Sequence, residues 1–159
     1  NMKLASGICP VSKLRENGIN VALGTDSAAS NNNLDLLAEA RSAAFLSKIS
    51  SGSSDSIKAE EALSMATING ARLLGLDKKI GSLEIGKCAD IIAFDFSGIS
   101  FQPIYNPISQ LIYVANGQDV THTWISGECL YKDREYTKLN LFELKGRIES
   151  WRKKIGGRG

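Results

Sequence analysis

Residues 19–24, Ile-Asn-Val-Ala-Leu-Gly, form a short apolar run with β-branched side chains, bounded by Gly18 and Gly24. Such a run reads as a buried strand. Helical sequence follows it, and a strand alternating with helices belongs to parallel α/β structure. One such strand cannot make a sheet by itself. The chain therefore either supplies a piece of a larger fold or assembles with other copies.

The flanking sequence supports that division. Pro10, Val11 and Leu14, with Gly18 as a stop, read as a short helix that tolerates proline in its first turn. Thr25 to Asn33 is rich in Asp, Ser, Asn and small residues, and reads as a loop at the strand's C-terminal end. Leu34 to about Lys48 reads as a helix, with Leu37, Ala40 and Ala44 on one face. After the loop Ser50–Ser56, in which Asp55 or Ser56 is a candidate cap, Ala59 to Leu74 reads as a second helix closed by Gly75. Beyond Gly75 the texture changes to short apolar runs punctuated by glycine. Ile91–Phe94, Ile112–Ala115, Val120–Ile125 and Cys129–Tyr131 are strand candidates of a small β module. Asn140 to Ile155 returns to a helical period through Leu141, Leu144, Ile148 and Trp151.

Composition narrows the function classes. The 159 residues suffice for roughly one ordinary domain. With 19 basic and 17 acidic residues the net charge is +2, which gives no general attraction to nucleic acid or to an acidic membrane surface. The basic cluster Arg152, Lys153, Lys154 and Arg158 reads as a solvated helix end. Cys9, Cys88 and Cys129 are too far apart for a zinc knuckle or redox motif and fit a reducing cytoplasm. Neither a signal peptide nor an apolar run of the ~18 residues needed for a membrane span is present. The opening Asn1-Met2 fits a natural start at Met2 and a truncated protein equally.

The site candidate is Asp26, in Gly24-Thr25-Asp26-Ser27. A carboxylate directly after a buried strand is where barrel and open α/β folds place functional groups. It can ligate a divalent metal, accept a proton from bound water, or do both. By position alone, a turn cap explains Asp26 better than a site residue does.

The wider pattern resembles the amidohydrolase superfamily, in the branch of 5-methylthioadenosine/S-adenosylhomocysteine deaminases and triazine hydrolases. The resemblance rests on Leu4-Ala5-Ser6-Gly7, on Pro10-Val11-x-x-Leu14, and on the run from Gly18 through Asp26 to Asn32. It continues in Ala66-Thr67-Ile68-Asn69-Gly70-Ala71, Ile80-Gly81-Ser82-Leu83-Glu84-x-Gly86-Lys87-x-Ala89-Asp90, Tyr105-Asn106-Pro107-x-Ser109-Gln110-Leu111 and Asn116-Gly117-x-Asp119-Val120. These motifs are collinear over nearly the whole chain. The resemblance implies an α/β fold in which residues 1–75 are the C-terminal part of a metal-dependent hydrolase (β/α)8 barrel. Residues 76–137 would be part of a composite β-sandwich, and residues 138–159 the C-terminal helix.

The resemblance further implies that the run at 19–24 is the eighth barrel strand and that Asp26 is a metal ligand and catalytic base. Ser27, Ser30, Asn31 and Asn32 would orient Asp26 or line the pocket, or serve as ordinary turn residues. Ser6, with Leu4 and Ala5, would touch substrate. The implied ion is zinc, with iron as the alternative. The implied substrate is a small molecule of adenosine type, although relatives also handle triazines, guanine and cytosine. A homo-oligomer is expected.

The family's metal site also needs an HxH pair, two further histidines and an acidic residue. This chain has one histidine, His122, which alternation places on one face with Val120 and Trp124 in the β module. One carboxylate cannot hold a metal that takes three or more protein ligands. The 159 residues alone are therefore expected to be inactive. The competing expectation is an autonomous non-catalytic domain whose apolar strand edges drive self-association or partner binding.

Overall fold

The computed structural model describes residues 1–156. Arg158, the last member of the basic cluster, and the end of the 138–159 segment lie outside the described residues. The first half is helical. Helix α1 (Val11–Glu16) follows Pro10 and stops at Gly18, whose φ of 73° lets its N–H turn back to Arg15 O. Helix α2 (Leu36–Ser51) starts where Asp35 accepts hydrogen bonds from Leu37 N and Ala38 N, and it buries Ala40, Ala44 and Ser47.

The expected helix from Ala59 to Leu74 is broken in two. Helix α3 (Ala59–Ala66) and helix α4 (Ile68–Leu73) meet at Thr67, whose φ, ψ of −131°, −97° lie outside the helical region. Its hydroxyl donates to Leu63 O at 2.7 Å. The cap of α3 also differs from expectation. Glu61 accepts from Lys58 N at 2.8 Å, while Ser56 bonds Ser12 and Ser47, and Asp55 pairs with Lys58. Gly75, with φ 68°, ends α4 as expected.

Residues 19–25 run without helix or turn as an extended segment, but they form no strand ladder with any described residue. Ile19 is exposed, while Val21 and Leu23 are half-buried against the helical core. The expectation of a buried strand is corrected for a simple reason: the described chain places helices, and no second strand, beside it. Three polar contacts hold it instead. Leu23 N donates to Met65 O, Asn69 Nδ2 donates to Val21 O at 3.1 Å, and Asn20 Nδ2 donates to Asn69 O at 3.0 Å.

Residues 112–115 are corrected too. Their apolar, β-branched texture suggests a strand, yet Pro107–Tyr113 is helix α5. Asn106 accepts from Ser109 N, and Pro107 occupies the first turn, where its missing N–H costs nothing. Ile112 is fully buried with Ala40, Ala44, Ile57, Ala62 and Met65. Arg41, on α2, closes this end of α5 by donating from Nε to Ile112 O (2.8 Å) and from Nη2 to Ala115 O (2.5 Å).

The second half contains one antiparallel sheet, ordered β1 (Ile91–Phe94), β2 (Val120–Ile125), β3 (Glu128–Lys132), β4 (Glu135–Tyr136). Ser126 and Gly127 both have positive φ, as do Asp133 and Arg134, so both hairpins close with two left-handed residues. Asp90 accepts from Ser126 N at 2.7 Å, which ties the first hairpin to the entry of β1. Helix α6 (Leu141–Gly156) begins where Asn140 accepts from Phe142 N and Glu143 N. It buries none of its residues.

Candidate functional site

Asp26 stands at the C-terminal end of the extended segment, with φ 59°. Aspartate visits this left-handed region more readily than most residues, because its short polar side chain bonds locally. Here Ser30 Oγ lies 2.6 Å from Asp26 Oδ2 and 3.0 Å from Ser27 O. A hydroxyl has one proton, and the closer, charged acceptor takes it. The turn is completed by Ser30 N and Asn31 N, both donating to Ser27 O. Asp26 is exposed in this chain.

Asp26, Ser30, Asn31 and Asn32 line a cleft of about 500 Å³ between the first ten residues, the extended segment and α2. Ser27 and Ser6 do not reach that lining. Ser27 Oγ lies 3.5 Å from Ser30 Oγ, and Ser6 closes a turn through its own N–H to Asn1 O. Two cleft residues went unread as site candidates in the sequence. Lys3 Nζ donates to Ala29 O (2.8 Å) and Asn32 Oδ1 (2.6 Å), and Glu39 accepts from Asn31 Nδ2 (2.8 Å). Nothing in the spacing singles out Lys3. Glu39 reads only as the polar side of α2.

His122 lies in the sheet and does not line the cleft. It stacks on Trp124 at 5.1 Å between ring centroids, the same-face pairing that alternation implies. Among the described residues no three His, Cys, Asp or Glu side chains come together as a metal site. Asp26 is a hard oxygen donor and fits one corner of a divalent-metal site, but the described residues do not complete a three-ligand set around it.

The fold is α/β, and an acid-bearing loop follows an extended segment packed on helices. The chain belongs to the amidohydrolase family, whose family model matches residues 1–130. The resemblance drawn from the motifs is therefore met. Among curated relatives, the 5-methylthioadenosine/S-adenosylhomocysteine deaminase of Teredinibacter turnerae is 48% identical over 158 residues, covering 99% of this chain and 36% of the relative. The protein of the same name from Syntrophobacter fumaroxidans is 49% identical over 148 residues, covering 93% of this chain and 34% of the relative. A crystal structure of an adenosine deaminase from Xanthomonas campestris with bound zinc matches with a TM-score of 0.95 and 41% identity, over 99% of this chain and 36% of that one. A triazine hydrolase variant matches with a TM-score of 0.85 and 26% identity, over 94% of this chain and 33% of that one. The chain thus spans about a third of the length of the relatives it matches.

Proposed function

We propose that this chain is the C-terminal part of a metal-dependent amidohydrolase that deaminates an adenosine-type substrate, 5-methylthioadenosine or S-adenosylhomocysteine. In this reading residues 1–75 complete a (β/α)8 barrel, residues 76–137 contribute to a composite β-sandwich, and the segment from residue 138 carries the C-terminal helix α6 (Leu141–Gly156). The observation that carries it is Asp26: an exposed carboxylate at the end of the extended segment, held by Ser30 and facing a cleft. The names of the relatives supply the substrate class.

Asp26 is assigned as one ligand of the ion and as the proton acceptor. The other ligands come from residues outside this chain. A divalent ion held there, zinc by analogy with the zinc-bound structural relative, would supply a water acidified toward neutrality. Asp26 would take one proton from the attacking water as its oxygen bonds the carbon bearing the exocyclic amine, and would return that proton to the amine nitrogen as the C–N bond breaks and ammonia leaves. Ser30 keeps the carboxylate aimed, and Asn31 and Asn32 shape the cleft wall. Ser27 steadies Ser30, and Ser6 is placed at the outer rim. No described helix is long and apolar enough to cross a membrane. The three free thiols suit a cytoplasmic setting. Self-association belongs to the same reading, since α6 leaves Phe142, Trp151 and Ile155 uncovered.

The test is ammonia release from 5-methylthioadenosine by the complete, zinc-loaded protein. Asp26→Ala should lower kcat by about 10²- to 10⁴-fold, the contribution of a positioned proton acceptor. The 159 residues alone should give no turnover above that variant. Absence of ammonia release from the complete protein, or full activity in Asp26→Ala, would overturn the reading.

A further inference from the structure

The segment from Gly24 to Asp35 carries Asp26 without a strand or helix to hold it. Its own backbone closes only the turn at Ser27, through the N–H groups of Ser30 and Asn31. Even for aspartate the left-handed conformation is uncommon, and its surroundings help to hold it. Two side chains from outside the loop do so. Lys3 reaches in from the chain's first residues and donates to both Ala29 O (2.8 Å) and Asn32 Oδ1 (2.6 Å). Glu39 reaches in from α2 and accepts from Asn31 Nδ2 at 2.8 Å.

Asn31 is committed at both ends of its amide. While its nitrogen bonds Glu39, its Oδ1 accepts from Asn33 N (3.2 Å) and Leu34 N (3.0 Å). Asn31 therefore transmits the position of α2 to the loop backbone. Ser30 lies between the two anchored stretches, next to Asn31 and directly after Ala29. Its hydroxyl is the group that meets Asp26 Oδ2 at 2.6 Å. Both acceptors of Lys3 are neutral oxygens, so its contribution is directed donors. Glu39 needs only an acceptor oxygen to keep Asn31.

We infer that Lys3 and Glu39 are positioning residues for Asp26: they clamp the loop at Ala29, Asn31 and Asn32, on both sides of Ser30, so that Ser30 presents its hydroxyl to the carboxylate. The inference rests on the reading of Asp26 as the reacting carboxylate. A misplacement of about 1 Å at a reacting group can cost about 10²-fold in rate.

The test uses the complete, zinc-loaded protein with 5-methylthioadenosine, together with amide hydrogen exchange across residues 27–33 measured without substrate. Lys3 is exposed, so Lys3→Met brings no packing defect. Lys3→Met and Glu39→Leu should each lower kcat about 10- to 100-fold, leave KM within about threefold, and speed exchange in the loop. Lys3→Arg and Glu39→Gln should restore both readouts, because each still offers the donor or acceptor that the loop uses. Unchanged kcat and unchanged exchange in Lys3→Met and Glu39→Leu would overturn the clamp. Conservative variants as damaged as the others would also overturn it, by showing that restoring the donor or acceptor does not restore the loop. Failure of the underlying reading looks different: wild-type protein would release no ammonia, while the exchange measurement would still report on the clamp.

Discussion

Gly81 is the position where adding a single carbon should cost most. It has φ +91°, and a Cβ there would lie 2.7 Å from Ala71 Cβ, 3.0 Å from Ile68 Cα and 3.2 Å from Ile68 Cδ1. Carbon atoms in contact prefer about 3.5–4.0 Å. Ala71 is buried in α4 and Ile68 Cα is backbone, so neither can swing aside. Two costs then add in Gly81→Ala. The left-handed conformation costs a residue with a Cβ about 1–2 kcal/mol, and overpacking a close contact costs about 1–3 kcal/mol. The expected loss is about 2–5 kcal/mol by their sum. Gly86 separates the two, since it has φ +92° and nothing within 4 Å of the added atom. Gly86→Ala should therefore lose only the conformational part, about 1–2 kcal/mol. Urea unfolding of the complete protein gives both values from the shift in midpoint and the slope. Ala71→Gly in the Gly81→Ala background removes the 2.7 Å contact and should recover part of the difference. Equal losses in Gly81→Ala and Gly86→Ala would refute the reasoning, because the turn at Gly81 would then not be pressed against α4.

Two further outcomes follow from the contacts of α2 with α5 and of α1 with α3. Arg41→Met keeps the apolar stem but strips two buried carbonyls, Ile112 O and Ala115 O, of their donor. The expected loss is about 2–4 kcal/mol in the same urea titration; a wild-type midpoint would contradict it. Glu61 is held below the usual glutamate range by its hydrogen bond from Arg15 (2.5 Å). Its native value is depressed, so its contribution is complete above its unfolded value of about 4.3 and is lost as pH falls through the lower native value. The Tm gap between wild type and Glu61→Gln should therefore hold near neutrality and shrink below about pH 4. A gap unchanged down to pH 3 would refute it.

Much of the element order was legible because local signals agreed with the fold. Ile91–Phe94 and Val120–Ile125 are strands with the expected bounds, and Asn140 opens α6. The failures are places where tertiary structure chose between two local options. Ile112 and Tyr113 have strand-like side chains, but the Asn106-Pro107 start and the burial of Ile112 under α2 and α3 make them helical. β4 passed unnoticed because its turn uses Asp133 and Arg134 in left-handed conformations, with no glycine to mark it. The break at Thr67 was hidden because the apolar period of α3 runs on through α4. At the site, Asp26 was visible from its place after the apolar run. Lys3 and Glu39 were not, since each acts on a loop 26 or more, or eight, residues away through hydrogen bonds that no periodicity encodes.

The bonds around Asn69 have a consequence for where Asp26 ends up. Asn20, Val21 and Leu23 are each met at one fixed point by α3 or α4: Asn69 O, Asn69 Nδ2 and Met65 O. Sliding the extended segment by one residue would break all three contacts at once. Because side chains alternate along an extended chain, the same slip would turn each of them to the opposite face. Asn69 therefore works as a phase marker: it meters the segment against the helices and so sets which way its terminal acid points.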